Sequence, residues 1–222
     1  MAATPNLGLT LGFLDELSRN NNKAWFDSHR PLYETARAAF EQFINNLIDE
    51  FRVSDHLEGL SAKVCVARIY RDVRFSRDKS PYKTNLAAMI APGGWRSTRQ
   101  GYYISIGAQE QSMVAGGLYN PSAEQLDRFR QAIDKDAAPF KKLTQARTFM
   151  DAFNTVEGNR LKTSPKGYDR THQEIALLQL KQITVVHRFS EREVLGRDFI
   201  GKVAGVCRAM KPFLNYMTVI LE

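Results

Sequence analysis

The chain has 222 residues, of which 43% are hydrophobic and 25% are charged. This composition is typical of a folded globular protein and excludes wholesale disorder. The formal net charge of +7 favours anionic partners such as nucleic acid, phosphorylated metabolites or acidic proteins.

Two cysteines, Cys65 and Cys207, lie far apart and form no C-x-x-C or Cys/His spacing that would hold zinc. The first residues lack the charged region of a signal peptide, and no apolar run approaches the ~18 residues of a membrane helix. We therefore expect a cytoplasmic protein with two buried thiols, no bound metal or cofactor and no membrane segment.

The N-terminal part, residues 10–52, predicts helices. Three asparagines at 20–22 end a first leucine-rich helix and cap a short second one. Pro31 fits the first turn of a longer helix. Its apolar stripe consists of Ala36, Phe40, Phe43, Ile44, Leu47 and Phe51.

The region 63–119 predicts an antiparallel meander. Four segments are rich in strand-forming residues: "KVCVARIY", "NLAAMIA", "GYYISIGA" and "SMVAGGLY". The connections between them are too short for crossover helices, which favours antiparallel pairing.

The region 122–222 predicts more helices and a fifth strand, "QITVVHRF". A helical stretch over 136–156 is expected to break around Gln145, and the closing helix to kink or split at Pro212. Capping boxes are indicated at Ser122 with Gln125, Thr171 with Glu174 and Ser190 with Glu193.

Together these elements predict one α+β domain over residues 1–222. A mostly antiparallel sheet of about five strands packs with N- and C-terminal helices. An N-terminal helical hairpin forming a separate lobe is the alternative.

Several common catalytic motifs are absent from the sequence. It has no G-x-G-x-x-G after a strand, no Walker loop, no G-x-S-x-G and no H-E-x-x-H. The sequence therefore disfavours P-loop enzymes, serine hydrolases and standard metal hydrolases.

The stretch "RIYRDVRFSRDKSPYKTN" carries six cations and two aspartates between Arg68 and Lys83. Arginine offers a planar fork of donors that matches phosphate or carboxylate, and Ser80-Pro81 forms a turn that brings its neighbours back over the same surface. This pattern predicts a site for a small anionic ligand. Its residues are Arg68, Arg71, Asp72, Arg74, Asp78, Lys79, Tyr82 and Lys83.

Two other interpretations of this stretch remain open. In the first, Arg68 pairs with Asp72 and Arg74 pairs with Asp78. These pairs would form a structural network or a surface that binds an acidic protein. In the second, the cations bind nucleic acid phosphates while aromatic rings stack on bases. The rings would be Phe75, Tyr82, Tyr102 and Tyr103.

Two further segments are candidates for the same pocket. Gly116 and Gly117 permit close approach of a ligand or of another backbone segment at the end of a strand. In "LKTSPKGYDRTH", Lys162, Lys166 and Tyr168 precede a helix expected to begin at Thr171, and helix N-termini attract anions. The alternative for this segment is an ordinary solvated connection.

The candidates for proton transfer, if the protein is an enzyme, are Asp72 and His172. Tyr82 or Lys79 would then stabilise developing negative charge.

The central stretch resembles the signature of a bacterial family with fungal relatives, domain of unknown function 2461. The similarity extends to "NNNKAWFDSHRPLYE", "GGLYNPSAEQLDRFRQAI" and "LKTSPKGYDRTHQEIALLQLKQI", so it covers nearly the whole chain. The resemblance implies one domain and marks the same basic residues. It implies no substrate, cofactor or catalytic residue.

Overall fold

A computed structural model describes residues 5–222. It contains helices and one four-stranded antiparallel sheet of order β1-β2-β3-β4, which confirms the α+β class with one strand fewer than expected. The elements in chain order are α1 (Leu7–Arg19), α2 (Lys23–Ser28), α3 (Arg30–Phe51), α4 (Ala62–Cys65), β1 (Asn85–Ile90), a 3-10 turn (Gly94–Arg96), β2 (Tyr102–Gly107), β3 (Ser112–Leu118), α5 (Ala123–Lys135), α6 (Ala138–Thr144), α7 (Arg147–Phe153), α8 (Ile175–Leu178), β4 (Ile183–Phe189), α9 (Glu191–Val194) and α10 (Phe199–Leu221).

The described chain forms two compact units, each assembled from separate segments. The predicted N-terminal helices belong to the same unit as β1 and β2. The first unit comprises residues up to 98, 102–114 and 188–205, and the second comprises 99–101, 115–187 and 206–222.

The core of the first unit lies between the N-terminal helices and the sheet. Helices α1 and α3 pack against each other, and they contact β2 and β1 respectively. Every member of the predicted α3 stripe is buried. Strand β1 pairs with β2 from Asn85 opposite Gly107 to Ile90 opposite Tyr102.

The core of the second unit is rich in phenylalanine. The rings of Phe129 and Phe140 meet edge to face with their centroids 5.4 Å apart, and Phe213 of α10 contacts both Phe140 and Phe149. Helix α10 continues through Pro212, so of the two expected outcomes, a kink or a split, the split does not occur. Burial of Met210, Phe213 and Leu214 stabilises the helix across the position where proline removes one backbone hydrogen bond.

The first predicted strand, Lys63–Tyr70, is replaced by helix α4 up to Cys65, and residues 66–70 form isolated bridges in place of a strand. Ala62 and Cys65 are both buried while Val64 is half-exposed, which is helical rather than strand spacing. The side chain of Asn45 accepts a hydrogen bond from the Ala62 N–H at 2.8 Å and fixes the start of α4. Tertiary packing thus overrides the β-propensity of this segment.

Local capping was predicted well in three places. Asn22 caps α2, and capping boxes begin α5 and α9 at Ser122 and Ser190. The break between α6 and α7 falls at Gln145, as expected.

The predicted capping box at Thr171 does not form. Asp169 accepts hydrogen bonds from the backbone N–H and the hydroxyl of Thr171 at 2.8 and 2.6 Å, and His172 accepts one from the Glu174 N–H. Because these groups are already engaged, the helix starts only at Ile175 and has four residues.

Candidate functional site

The basic stretch forms a hairpin-like arm that leads into β1. After α4 the chain is extended and pairs with the residues that precede β1. The N–H groups of Arg71 and Lys83 donate to the carbonyls of Pro81 and Ile69 at 2.9 and 2.8 Å. We call the paired segments, residues 69–71 and 81–83, the arm. Residues 72–80, which connect the two segments, are the basic loop.

The arm is attached to the helical layer through Asn21 and the ring of Tyr82. The Asn21 side chain donates to the Tyr82 carbonyl at 2.9 Å and accepts from the Tyr82 N–H at 3.1 Å. The buried Tyr82 ring stacks on Phe26 with a centroid separation of 4.0 Å. The linker between α1 and α2 therefore fixes the position of the arm.

Asp78 holds the base of the basic loop together. It forms an ion pair with Arg71 and accepts hydrogen bonds from the N–H and hydroxyl of Ser80 at 2.9 and 2.7 Å. These bonds from Ser80 and Arg71 lower the pKa of Asp78 well below its usual range. The carboxylate is thus committed to its partners within the loop.

A second pair lies further along the loop. Arg74 donates to both oxygens of Asp72, at 2.9 and 2.6 Å, and this bond lowers the pKa of Asp72. The observed pairs, Arg71 with Asp78 and Arg74 with Asp72, differ from those expected from the sequence. With both oxygens engaged and its pKa lowered, Asp72 is poorly placed for proton transfer.

Lys79 also serves the loop itself. Its ammonium donates to the carbonyl of Val73 at 2.9 Å and bridges the two sides of the loop. Lys79 therefore binds the backbone of the loop, and only some of the predicted cations remain for a shared ligand site.

A cleft of about 410 Å³ lies beside the arm in the first unit. Two cations line it, Arg71 and Lys83, together with one acid and several hydroxyl and amide side chains. The lining residues are Ser18, Asn21, Arg71, Asp78, Ser80, Tyr82, Lys83, Thr84 and Asn85. The predicted residues Arg68, Asp72, Arg74 and Lys79 are not among them.

Lys83 is the least compensated cation of the cleft. Its ammonium donates to the Arg68 carbonyl at 3.0 Å and lies 5.6 Å from the centre of the Trp95 ring. It forms no ion pair with any described carboxylate. Burial, and secondarily the charge of Arg68, lower the pKa of Lys83.

Trp95 reaches Lys83 from the turn that follows β1. Gly94 has a φ of +68°, and a Cβ at this position would press against the backbone of Val64. Only glycine permits this close approach, so the turn that carries Trp95 depends on it.

Gly116 and Gly117 accommodate packing within the second unit rather than a ligand. A Cβ on Gly116 would meet Met210 and Leu214, and one on Gly117 would meet the carbonyl of Ile183. The space that the missing side chains leave is filled by the protein itself, which agrees with the second of the two expectations, close approach of another part of the chain.

The second basic segment also lies in the second unit. Lys162 and Lys166 are exposed, and Tyr168 packs edge to face on His172. His172 accepts from the Glu174 N–H through Nδ1 at 3.0 Å, so its Nε2 carries the proton donated to Asp134 at 3.0 Å. Both ring nitrogens are engaged, which leaves none to act as a base.

The four aromatic residues considered for base stacking differ sharply in exposure. Tyr82 and Tyr102 are buried, and the Tyr102 hydroxyl donates to Asp55 at 2.7 Å. Tyr103 is half-buried against Trp95. Phe75, in the basic loop, is 97% exposed.

The cleft also has lining residues that were not predicted from the sequence: Ser18, Asn21, Thr84 and Asn85. In the sequence, Asn21 was noted only as part of the asparagine run that ends one helix and caps the next. That role belongs to Asn20, which caps the end of α1, and to Asn22, which caps the start of α2.

Across residues 5–222 no three His, Cys, Asp or Glu side chains are grouped to hold a metal ion. No helix within these residues has both the length and the apolarity needed to cross a membrane.

Residues 9–216 match the model of a family described as "Conserved hypothetical protein (DUF2461)". No curated protein and no solved structure matches the chain.

Proposed function

The chain belongs to the DUF2461 family, and we propose that it binds a small phosphate- or carboxylate-bearing ligand in the cleft beside the basic loop. The observation that carries the proposal is the environment of Lys83. This half-buried ammonium lies near a second cation, Arg68, and has no carboxylate partner among the described residues. Burying a cation is unfavourable unless an anion compensates it, and a bound anion would supply that compensation.

Arg71 supplies the second charge of the cleft. Its Nη1 donates to Asp78 and its Nη2 to the hydroxyl of Ser76 at 3.4 Å. A guanidinium has five N–H donors, so Arg71 keeps donors for a ligand while Asp78 fixes its direction. Arg71 offers planar, directional N–H donors and Lys83 offers a compact point charge, so both side chains can bind the same anion.

The remaining lining side chains suit a polar ligand. Ser18, Ser80, Thr84 and Asn85 carry hydroxyl or amide groups that hydrogen-bond without adding negative charge. The one acid in the lining, Asp78, is already satisfied by Arg71 and Ser80. A volume of about 410 Å³ is within the range of small-molecule sites.

The proposal is one of binding rather than of a defined reaction. Asp72 has both oxygens bonded to Arg74, and His172 has both nitrogens engaged. These two were the sequence candidates for proton transfer, and neither geometry supports that role. We further propose a cytoplasmic location, since neither Cys65 nor Cys207 forms a disulfide and both are buried.

A thermal-shift titration at constant ionic strength tests the proposal. The probes are inorganic phosphate, citrate and a nucleoside monophosphate, with chloride as the reference salt. A specific ligand at about 100 times its Kd stabilises the folded protein by ~2.7 kcal/mol. We expect at least one probe to raise the melting temperature of the wild type.

The matched variants are Lys83→Met and Lys63→Met. Lys63 is an exposed lysine of α4 outside the cleft, so its substitution removes the same charge without touching the site. We expect Lys83→Met alone to abolish the shift. Absence of a shift for every probe, or equal loss in both variants, would contradict the proposal.

A further inference from the structure

The end of the basic loop carries an uncovered aromatic ring. Phe75 is 97% exposed, whereas the other twelve phenylalanines of the described chain are all buried. Its one ring contact among those residues is with the guanidinium carbon of Arg74, 6.0 Å from the ring centre. A ring so exposed takes no part in the hydrophobic core, and we call residues 74–77 the tip.

The tip is held in place by bonds beneath it. The ion pair of Arg71 with Asp78 closes the base, Lys79 bridges to the Val73 carbonyl, and the Ser76 N–H donates to the same carbonyl at 3.3 Å. A loop ordered in this way loses little conformational entropy when a partner binds. The backbone that carries the exposed ring is therefore held in one conformation.

Two guanidinium groups flank Phe75. Arg74 donates to Asp72 through Nε and Nη2, which leaves Nη1 for a partner, and its side chain is 77% exposed. Arg77 is exposed, and no hydrogen bond or ion pair to it is present within residues 5–222. An aromatic side chain with an arginine on either side of it in the sequence matches a polymer that alternates flat rings and anionic groups.

We propose that the tip binds single-stranded nucleic acid, with Phe75 stacking on a base and Arg74 and Arg77 contacting the flanking phosphates. Bases stack on aromatic side chains without a strong sequence preference, because every base has a π-face. Guanidinium groups supply the phosphate contacts that give such binding its salt dependence. The chain's net charge of +7 favours approach to a polyanion.

Other partners fit the tip less well. A duplex buries its base faces, so stacking on Phe75 would require costly unstacking. A bilayer favours several apolar side chains, whereas the tip has one such ring on a loop that also carries Asp72 and Asp78. An acidic peptide would satisfy Arg74 and Arg77 but has no need of a flat exposed ring.

Fluorescence anisotropy with labelled oligouridylate and oligothymidylate of about 12 nucleotides, a length within the usual site size for single strands, tests this assignment. We expect Phe75→Ala to weaken binding roughly 5- to 150-fold with an unchanged salt slope, and Phe75→Trp to retain the binding. Arg77→Gln should reduce the slope of log K against log salt by about 0.7, the value for one phosphate contact on a single strand.

The matched controls are Val53→Ala and Arg147→Gln. Val53 is 82% exposed and the Arg147 side chain 94% exposed, and both lie outside the loop. Substitution of either should leave the affinity for the oligonucleotides unchanged. These controls separate stacking at the tip from general attraction to a basic protein.

Three outcomes would overturn the assignment: no saturable binding at low salt, binding that Phe75→Ala leaves unchanged, or stronger tip-dependent binding to phosphatidylserine vesicles or polyglutamate than to the oligonucleotides. The test is independent of the cleft, because Phe75→Ala should leave the phosphate-induced thermal shift intact. Failure of either proposal thus leaves the other standing.

Discussion

The side-chain amide of Asn21 pairs with both backbone groups of Tyr82, although the two residues lie 61 positions apart. The Asn21 side chain thus makes the two hydrogen bonds to the Tyr82 backbone that a neighbouring strand would otherwise make. The contact joins the α1–α2 linker to the arm, and both residues line the cleft. The shape of the cleft therefore depends on an asparagine that carries no charge.

Replacement of this asparagine should loosen the arm. Asn21→Ala removes two hydrogen bonds and leaves partly buried backbone groups of Tyr82 without those partners, which typically costs about 1–3 kcal/mol. We expect a loss of that size in the free energy of unfolding, measured by urea denaturation. Amide exchange at Tyr82 and Lys83 should become faster.

Asn46→Ala is the matched control, since Asn46 is a partly exposed residue within α3. Alanine favours helix more than asparagine does, so this variant should be unchanged or slightly more stable. A similar loss of stability in both variants would argue against the special role of Asn21.

The ammonium of Lys83 should lower the stability of the ligand-free protein. Burial, with the Arg68 charge, places the pKa of Lys83 below its ordinary value of 10.5. Below this lowered pKa the folded state carries the cost of a buried charge, and the cost disappears as pH rises from the lowered pKa towards 10.5. Lys83→Met should therefore raise the melting temperature near neutral pH, and the gain should shrink in alkaline buffer.

The exposed Lys63 provides the comparison for this experiment. The melting temperature of Lys63→Met should show no pH-dependent gain over that of the wild type between neutral and alkaline pH. If Lys83→Met were less stable than the wild type at every pH, burial of the ammonium would not be the dominant effect at this site.

The contacts of Asp78 should hold the basic loop in place in a way that depends on pH. Its pKa lies below the ordinary value of 3.8 because Ser80 and Arg71 stabilise the carboxylate. The stability it contributes is complete above 3.8 and is lost as pH falls through the lowered pKa. In an NMR titration, the Ser80 amide shift should have its midpoint below 3.8.

Asp78→Asn removes the charge that holds Arg71 and should speed tryptic cleavage after Arg74 and Arg77. Asp151→Asn is the control, because Asp151 is an exposed acid of α7 paired with Arg147 at 3.7 Å. Equal cleavage of both variants would show that the loop does not depend on Asp78.

The two glycines Gly117 and Gly167 should respond differently to alanine. Both have positive φ, of 101° and 92°, so alanine introduces backbone strain of about 1–3 kcal/mol at each. At Gly117 a Cβ also meets the Ile183 carbonyl and the Phe213 ring, whereas nothing lies within 4 Å at Gly167. Thermal denaturation should show a larger loss for Gly117→Ala, and equal losses would contradict the packing role.

The sequence by itself determined the elements that depend on local chemistry. The caps at Asn22, Ser122 and Ser190 act on backbone groups within three residues and can be recognised without knowledge of the fold. The strands at "NLAAMIA", "GYYISIGA", "SMVAGGLY" and "QITVVHRF" were predicted for a similar reason, because alternation and β-branched or aromatic residues mark them. Charge density alone also identified the basic loop.

Only the tertiary structure decided which side chains meet. Helix α4 forms where β-propensity predicted a strand, because Ala62 and Cys65 are buried on one side. Arg71 and Arg74 take partners that spacing did not predict, and Asn21 reaches the cleft from a distant turn. Such contacts depend on how separate segments pack, which propensity and periodicity do not encode.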